Sequence, residues 1–270
     1  PALREFLGGH PEGLRARRHL AEALLRADRP QEARAEYRRL IDLGEGSAEV
    51  WLGLGLARFH MQEWPEAEEA FRRALARRPG YGAALFYLGQ VAERQGRHER
   101  AANLYGQVEG GRYLEQSRLR QAVARLEDGQ RQRALQVARQ LRRYRPDESG
   151  YYQLEARILL ELEQPKSAAR VAGGGLEQDP DNPVPLRYLR AMARERLGDH
   201  EGMEVDIRAI LERDPENADA YNFLGYSLAE RDVRLEEALR LIRKANELSP
   251  DQPHIIDSLG WVHFRLGNLA

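Results

Sequence analysis

The chain has no cysteine, which excludes disulfide staples, thiolate nucleophiles and cysteine-ligated zinc. Lysine is almost as scarce: Lys166 and Lys244 are the only two, and the rest of the 42 basic residues are arginines. An excess of one charge is missing too, because 43 acidic residues bring the formal net charge to −1. Nucleic-acid-binding surfaces collect positive charge on one face. Here the two signs are interleaved, so the arginines read as an ion-paired, solvated surface and no nucleic-acid partner is expected. No apolar run approaches the roughly 18 residues that span a bilayer. The residues carry neither a signal-peptide pattern nor a lipid-attachment cysteine, and a removed leader would leave no trace. With 31% charged and 42% hydrophobic residues and only 13 prolines, the chain has the composition of a folded, helix-rich protein.

Catalytic patterns are equally scarce. The seven histidines (His10, His19, His60, His98, His200, His254 and His263) scatter over the chain without an HExxH or a carboxylate-flanked pair, so no metal is expected. Gly53-Leu54-Gly55 lacks the third glycine of a dinucleotide turn, and Gly173-Gly174-Gly175 is not followed by the Gly-Lys-Ser/Thr of a phosphate loop. No serine sits in a nucleophile elbow. Acid pairs such as Glu68-Glu69 and Glu236-Glu237 are expected on exposed helix faces. No catalytic residue and no cofactor are therefore expected, and the chain reads as a non-enzyme.

What is abundant is repetition. Pro79 is preceded at fixed offsets by Ala67, Phe71 and Ala74, and Pro250 by Ala238, Ile242 and Ala245. The offsets recur before Pro146, Pro180 and Pro215, and without proline before Glu45 and Tyr113. Taking Pro11 as the first marker, the intervals are 34, 34, 34, 33, 34, 35 and 35 residues. The other half of the period opens with Trp51-x2-Leu54-Gly55, Leu85-x2-Leu88-Gly89, Tyr221-x2-Leu224-Gly225 and Ile256-x2-Leu259-Gly260. Together these halves resemble the tetratricopeptide repeat.

Each position has a physical reason. Gly55, Gly89, Gly225 and Gly260 are expected to let a first helix approach the second closely, and Ala67, Ala101 and Ala238 do so from the other side. A large residue such as Phe71 or Tyr105 fills the space between neighbouring repeats. Proline, lacking an N–H, marks the turn out of the second helix. A helix pair cannot bury both faces alone, so repeats stack into a continuous core. The expected fold class is all-α: a right-handed superhelical solenoid of tandem helix-turn-helix repeats. The expected organisation is a single array over 1–270. The second helix of a preceding repeat falls in 1–13, and repeats follow at about 14–47, 48–81, 82–115, 116–148, 149–182, 183–217 and 218–252. A partial repeat occupies 253–270, as in a fragment of a longer solenoid, and Leu259 and Val262 are expected to be exposed, favouring fraying or self-association there.

Three local departures carry expectations of their own. Gly173–Gly175 should end its helix early or form a hinge, since each glycine costs about 1 kcal/mol against alanine in a helix. Extra residues near Asp199-His200 and Asp232-Val233 should be absorbed in the turns between helices. Arg72-Arg73 with Arg77-Arg78, and Arg142-Arg143 with Arg145, read as solvated helix ends.

The tetratricopeptide resemblance implies that ligands touch positions 2, 5, 6, 9, 12 and 13 of first helices lining a concave face. Those positions supply two candidate partner-binding clusters. One comprises Asn222, Phe223, Tyr226, Asp257, Trp261, Phe264 and Arg265; the other comprises Leu52, Leu56, Phe59, Phe86 and Gln90. Aromatics and arginine are frequent binding hot spots, although packing between helices would account for the same residues. The carboxylate clamp known in some relatives needs a cation at position 5 and asparagine at position 9. Arg18, Arg120 and Arg187 are followed by Glu22, Ala124 and Ala191, so that clamp is absent.

A narrower resemblance lies in Ala220-Tyr221-Asn222-Phe223-Leu224-Gly225-Tyr226-Ser227-Leu228-Ala229-Glu230, Leu235-Glu236-Glu237-Ala238, Pro250, and Ile256-Asp257-Ser258-Leu259-Gly260-Trp261-Val262. It is similar to bacterial outer-membrane tetratricopeptide lipoproteins that act as adaptors for a carboxyl-terminal processing protease and help deliver cell-wall hydrolases to it. The resemblance implies protein partners, a periplasmic location at the outer membrane, and membrane attachment only through a lipid anchor outside these residues. A recognition arm of a larger enzyme, a cytoplasmic assembly factor and a glycan-binding solenoid remain rival readings.

Overall fold

A computed structural model describes residues 2–10, 13–178 and 180–268, in which sixteen α-helices and no strand occur. Pro11, the first expected marker, lies outside the described residues. The helices are α1 (Ala2–Gly9), α2 (Leu14–Arg26), α3 (Pro30–Asp42), α4 (Ala48–His60), α5 (Trp64–Arg77), α6 (Gly82–Arg94), α7 (His98–Gly106) and α8 (Leu114–Glu127). They continue with α9 (Arg131–Tyr144), α10 (Ser149–Glu161), α11 (Pro165–Leu176), α12 (Val184–Leu197), α13 (His200–Arg213), α14 (Ala218–Glu230), α15 (Leu235–Leu248) and α16 (Pro253–Arg265). None is long and apolar enough to cross a membrane. The chain divides into two compact units, Pro1–Val137 and Ala138–Ala270.

Within a helix pair the turn is short, and its backbone repeats as strictly as the sequence does. Asp28, Gln62, Gly96, Gly129, Glu163, Gly198 and Asp232 all take the left-handed conformation, with φ between 54° and 75°. Glycine takes this shape freely, whereas Asp, Gln and Glu hold it at a cost of about 1 kcal/mol. The helix starts are built from ordinary caps. Ser47, Asp199 and Asn217 accept hydrogen bonds from Val50 N, Gly202 N and Ala220 N, while Pro30, Pro165 and Pro253 open α3, α11 and α16.

In unit 1 the core runs as successive clusters, one around Tyr37, Leu40 and Leu54, the next around Phe71, Leu88 and Val91, the next around Phe86 and Tyr105. The glycines of the first helices are where this stacking is tightest. A Cβ on Gly55 would strike the ring of Phe71, and one on Gly89 would lie 2.5 Å from Tyr105 Cε1. In unit 2, Met203, Ile207, Leu224, Leu228, Ile242 and Val262 share one core, and Gly225 is closed by Ile242 and the Ala238 carbonyl.

Several local expectations are corrected. Val262 is fully buried and Leu259 packs against the same core, so the exposed apolar residues of α16 are instead Ile256 and Phe264. The extra residue near 232 is absorbed in a four-residue turn with Asp232 and Arg234 both left-handed, but the one near 199 lengthens α12 to 14 residues.

Helix α11 runs straight through Gly173–Gly175. Gly175 is required, because a Cβ there would meet Tyr152 Cβ at 2.8 Å and Leu186 Cδ1 at 3.0 Å. A Cβ on Gly173 or Gly174 would make only ordinary contacts, at 3.7 Å to Arg190 and 3.6 Å to Tyr152. Gly173→Ala and Gly174→Ala are therefore expected to stabilise unit 2 by about 0.5–1 kcal/mol each, and Gly175→Ala to destabilise it. Urea unfolding of the three variants checks this; equal effects at all three sites would refute the packing argument.

The arginines are ion-paired as expected, in a recurring pattern. Arg34 reaches Glu63 at 2.7 Å, Arg97 reaches Glu68 at 2.7 Å and Arg208 reaches Glu237 at 2.7 Å, each linking a second helix to the start of the next one. Arg78 pairs with Glu49 and Arg234 with Glu204, whose pKa is held down to about 2 chiefly by the Arg234 hydrogen bond. Glu68 departs from expectation. It is buried among Arg72, Arg97 and Arg100, which outweigh the upward pull of burial and hold its pKa below the usual carboxylate range.

Candidate functional site

The tandem first helices α14 and α16 pack side by side and form a cleft of about 720 Å³ in unit 2. Tyr226 and Glu230 line it from α14; Ile256, Asp257, Gly260, Trp261 and Phe264 line it from α16. Helical spacing explains the grouping, since 226 and 230, and 257, 260, 261 and 264, fall on one face of their helices. The apolar lining is open to solvent: Tyr226 is 41% exposed, Ile256 50% and Phe264 55%. Phe264 stacks on Trp261 with ring centroids 5.5 Å apart and planes 22° from parallel. The Arg265 guanidinium lies 5.6 Å from the Trp261 centroid, held by Asp232 at 3.3 Å.

The polar part of the lining is acidic. Burial raises the Tyr226 hydroxyl pKa first; the Glu230 carboxylate, which accepts its hydrogen bond, and Asp257 raise it further. Neither Glu230 nor Asp257 forms a salt bridge among the described residues. Asn222 Oδ1 and Trp261 Nε1 are buried without a hydrogen-bond partner among those residues.

Of the seven residues expected in this cluster, Tyr226, Asp257, Trp261 and Phe264 line the cleft. Asn222, Phe223 and Arg265 do not. Phe223 is half-buried against Tyr188, at 5.4 Å between centroids, and belongs with the core. Glu230, Ile256 and Gly260 were missed. Glu230 occupies position 13 of its repeat, one of the positions that the resemblance marks as ligand-facing. Ile256 and Gly260 occupy the positions that in earlier repeats (Trp51 and Gly55, Tyr221 and Gly225) meet a second helix.

A second cleft, of about 650 Å³, lies in unit 1. Phe59, Phe86 and Gln90 line it as expected, but Leu52 and Leu56 do not. Leu52 is buried in the core beside Ala67 and Phe71, and Phe86 is only 4% exposed, forming the floor under Tyr87 and Tyr113. Sequence reasoning missed His60, Tyr87, Glu93 and Tyr113, and the wall that α8 supplies: Gln116, Leu119, Arg120 and Val123. Leu119 and Val123 are exposed one helical turn apart, while Arg120 is tied to Glu93 at 2.9 Å.

Family comparison agrees with this geometry of paired helices. Residues 1–48, 52–111 and 188–253 match one tetratricopeptide repeat model, and residues 116–148 match another. The chain belongs to the tetratricopeptide repeat family. A TPR repeat-containing protein of Pseudomonas aeruginosa is 40% identical over 189 residues, 70% of this chain. The chain spans about a third, 32%, of that relative's length. Among solved structures, the C-terminal part of a TPR repeat-containing protein from Cytophaga hutchinsonii aligns with 89% of this chain and 98% of its own, at a TM-score of 0.73 and 14% identity. Pseudomonas aeruginosa pilF aligns with 77% of this chain and 94% of its own, at 0.54 and 16%. At those identities the structures establish the tetratricopeptide fold, and the binding surface has to be argued from this chain's own residues.

Proposed function

We propose that this tetratricopeptide chain is a non-enzymatic scaffold that binds other proteins, and that the α14–α16 cleft is a principal contact surface. The observation that carries this reading is the pair of exposed rings, Tyr226 and Phe264, with the half-buried Trp261 stacked on Phe264, on two adjacent first helices. Aromatic surface left in water is unfavourable unless something covers it, and tyrosine and tryptophan dominate measured hot spots.

Within that role we infer a bacterial envelope adaptor on the periplasmic side of the outer membrane, binding a carboxyl-terminal processing protease and presenting cell-wall hydrolases to it. Support comes from the sequence 220–262, which resembles that group of adaptors and contributes six of the cleft's seven lining residues: Tyr226, Glu230, Ile256, Asp257, Gly260 and Trp261. The Pseudomonas relative is a bacterial tetratricopeptide protein, in keeping with that source.

Biolayer interferometry against the purified processing protease of the same organism tests both levels. Tyr226→Ala with Phe264→Ala, two exposed positions, is expected to weaken binding at least about tenfold while leaving the helical circular-dichroism signal unchanged. Unweakened binding by that variant would remove the cleft from the interface. No binding by the unmodified chain would remove the protease role.

A further inference from the structure

Arginine, an aromatic ring and a carboxylate come together repeatedly in this chain. Arg73 lies over Trp51 and pairs with Glu69 at 2.8 Å; Arg78 lies 4.5 Å from the Tyr81 centroid and pairs with Glu49. Arg120 sits over Phe86 and pairs with Glu93; Arg142 sits 5.2 Å from the Tyr152 centroid and pairs with Glu155 at 2.6 Å. Arg265, over Trp261 and paired with Asp232, makes the fifth case at the edge of the cleft itself. The arrangement is chemically sensible, because a guanidinium is flat and weakly hydrated, stacks on a ring face and still donates in its own plane to a carboxylate.

The cleft holds two of these three components. Phe264 offers an exposed ring and Tyr226 a second one, and Glu230 and Asp257 supply carboxylates that no arginine or lysine of the described residues neutralises. The surface is thus apolar and negative, complementary to a segment that is apolar and positive. An acidic or neutral peptide would leave both carboxylates without a counter-charge on being covered, which is unfavourable.

We infer that the α14–α16 cleft binds an extended peptide segment in which an arginine lies beside a large apolar residue. The arginine takes the place against Phe264 and Tyr226 that the chain's own arginines take at five other rings, with Glu230 and Asp257 as its counter-ions. The apolar neighbour lies against the Trp261 ring that Phe264 stacks on. This rests on the reading of the cleft as a partner-binding surface and adds the chemistry of the partner.

The test is fluorescence anisotropy with a labelled nonapeptide carrying Leu-Arg-Leu-Arg in a Gly/Ser background, against matched peptides with citrulline or glutamate in place of arginine. The arginine peptide is expected to bind at least about tenfold more tightly than the citrulline one, and the glutamate peptide to show no binding. Glu230→Gln with Asp257→Asn should lower the arginine peptide's affinity about tenfold and flatten its salt dependence, while Glu99→Gln with Glu109→Gln, two unit 1 positions that do not line the cleft, should change neither. Equal binding of the arginine and citrulline peptides, or an unchanged affinity in the Glu230/Asp257 variant, would overturn the inference. So would displacement of none of the peptide's sites by excess protease together with concentration-dependent dimerisation through the cleft, which would assign it to a second copy of the chain. The protease assay keeps the two readings apart. If Tyr226→Ala/Phe264→Ala loses the protease and Glu230→Gln/Asp257→Asn does not, the cleft is a partner surface with a different chemistry; if neither variant loses it, both readings fail.

Discussion

Replacing Asp206 by alanine is expected to destabilise unit 2 by about 3 kcal/mol, one of the two largest single-residue effects in the chain. Asp206 lies on α13 with no accessible surface and serves three arginines of α12. Arg190 donates from Nε at 2.9 Å and from Nη2 at 2.6 Å, one bond to each carboxylate oxygen, and Arg194 adds a third at 2.7 Å. Arg187 stands at 3.6 Å. Removing the carboxylate leaves Arg187 and Arg190 without a counter-charge among the described residues and Arg194 with only the half-exposed Asp199, at 3.4 Å. A wholly buried orphan charge costs about 3–5 kcal/mol, and the arginines are partly exposed, at 21–31% of their side chains, which points to the lower end. The contrast is Glu69→Ala, which breaks an exposed pair with Arg73 one turn away and should cost less than about 0.5 kcal/mol. Guanidinium unfolding with hydrogen exchange read over α12–α14 measures both. A loss below about 1 kcal/mol at Asp206 would mean that the arginines swing into water and that the cluster is worth no more than a surface pair.

That cluster also marks the limit of what could be read from the residues in order. The helix pairs, their period and the close approach at Gly55, Gly89 and Gly225 were legible, because they follow from spacing within one repeat and from the lack of a side chain at the crossing point. Contacts between a second helix and the next one have no such local signature. The burial of Glu68 among three arginines therefore escaped, although its neighbour Glu69 is exposed as expected. The Gly173–Gly175 run misled for a related reason. Low helix propensity argued for an early end, but packing of Gly175 on Tyr152 and Leu186 holds α11 together, and tertiary context overrides a penalty of about 1 kcal/mol per residue.

The candidate sites were legible by face but not by depth. Counting positions along a first helix finds which residues point to one side; it does not find how far a neighbouring ring closes over them. Tyr188 covers Phe223, and Tyr87 and Tyr113 cover Phe86, so residues expected at the surface belong to the interior. Conversely Gly260, expected at a close approach between helices, is exposed in the cleft together with Ile256. Charge was the more informative signal there. Glu230 is plain in the sequence, and only the structure reveals that it and Asp257 border the same aromatic set.

The same glycine position, tested at two places, should give effects of opposite sign. Gly89 lies in α6 under Tyr105, and a Cβ added there would sit 2.5 Å from Cε1, 2.7 Å from Cζ and 2.8 Å from Cδ1 of that ring. Tyr105 cannot retreat, because it is fully buried and its ring centroid is 5.9 Å from that of Phe86, itself under Tyr113. Gly89→Val adds two further carbons beyond the clashing one, so α6 and α7 must separate, and we expect a loss of about 3 kcal/mol despite the gain in helix propensity. Gly260 occupies the equivalent position in α16, where nothing lies within 4 Å of an added Cβ. Gly260→Ala should therefore stabilise unit 2 by up to about 1 kcal/mol, the full helix-propensity difference. Pairing Gly89→Val with Tyr105→Leu, which removes the ring atoms in conflict, should recover part of the loss, as expected for coupled neighbours. Denaturant unfolding of these three variants and of Tyr105→Leu alone decides the matter. A small effect at Gly89, or no recovery in the double variant, would show that the helices approach each other for a reason other than the missing side chain.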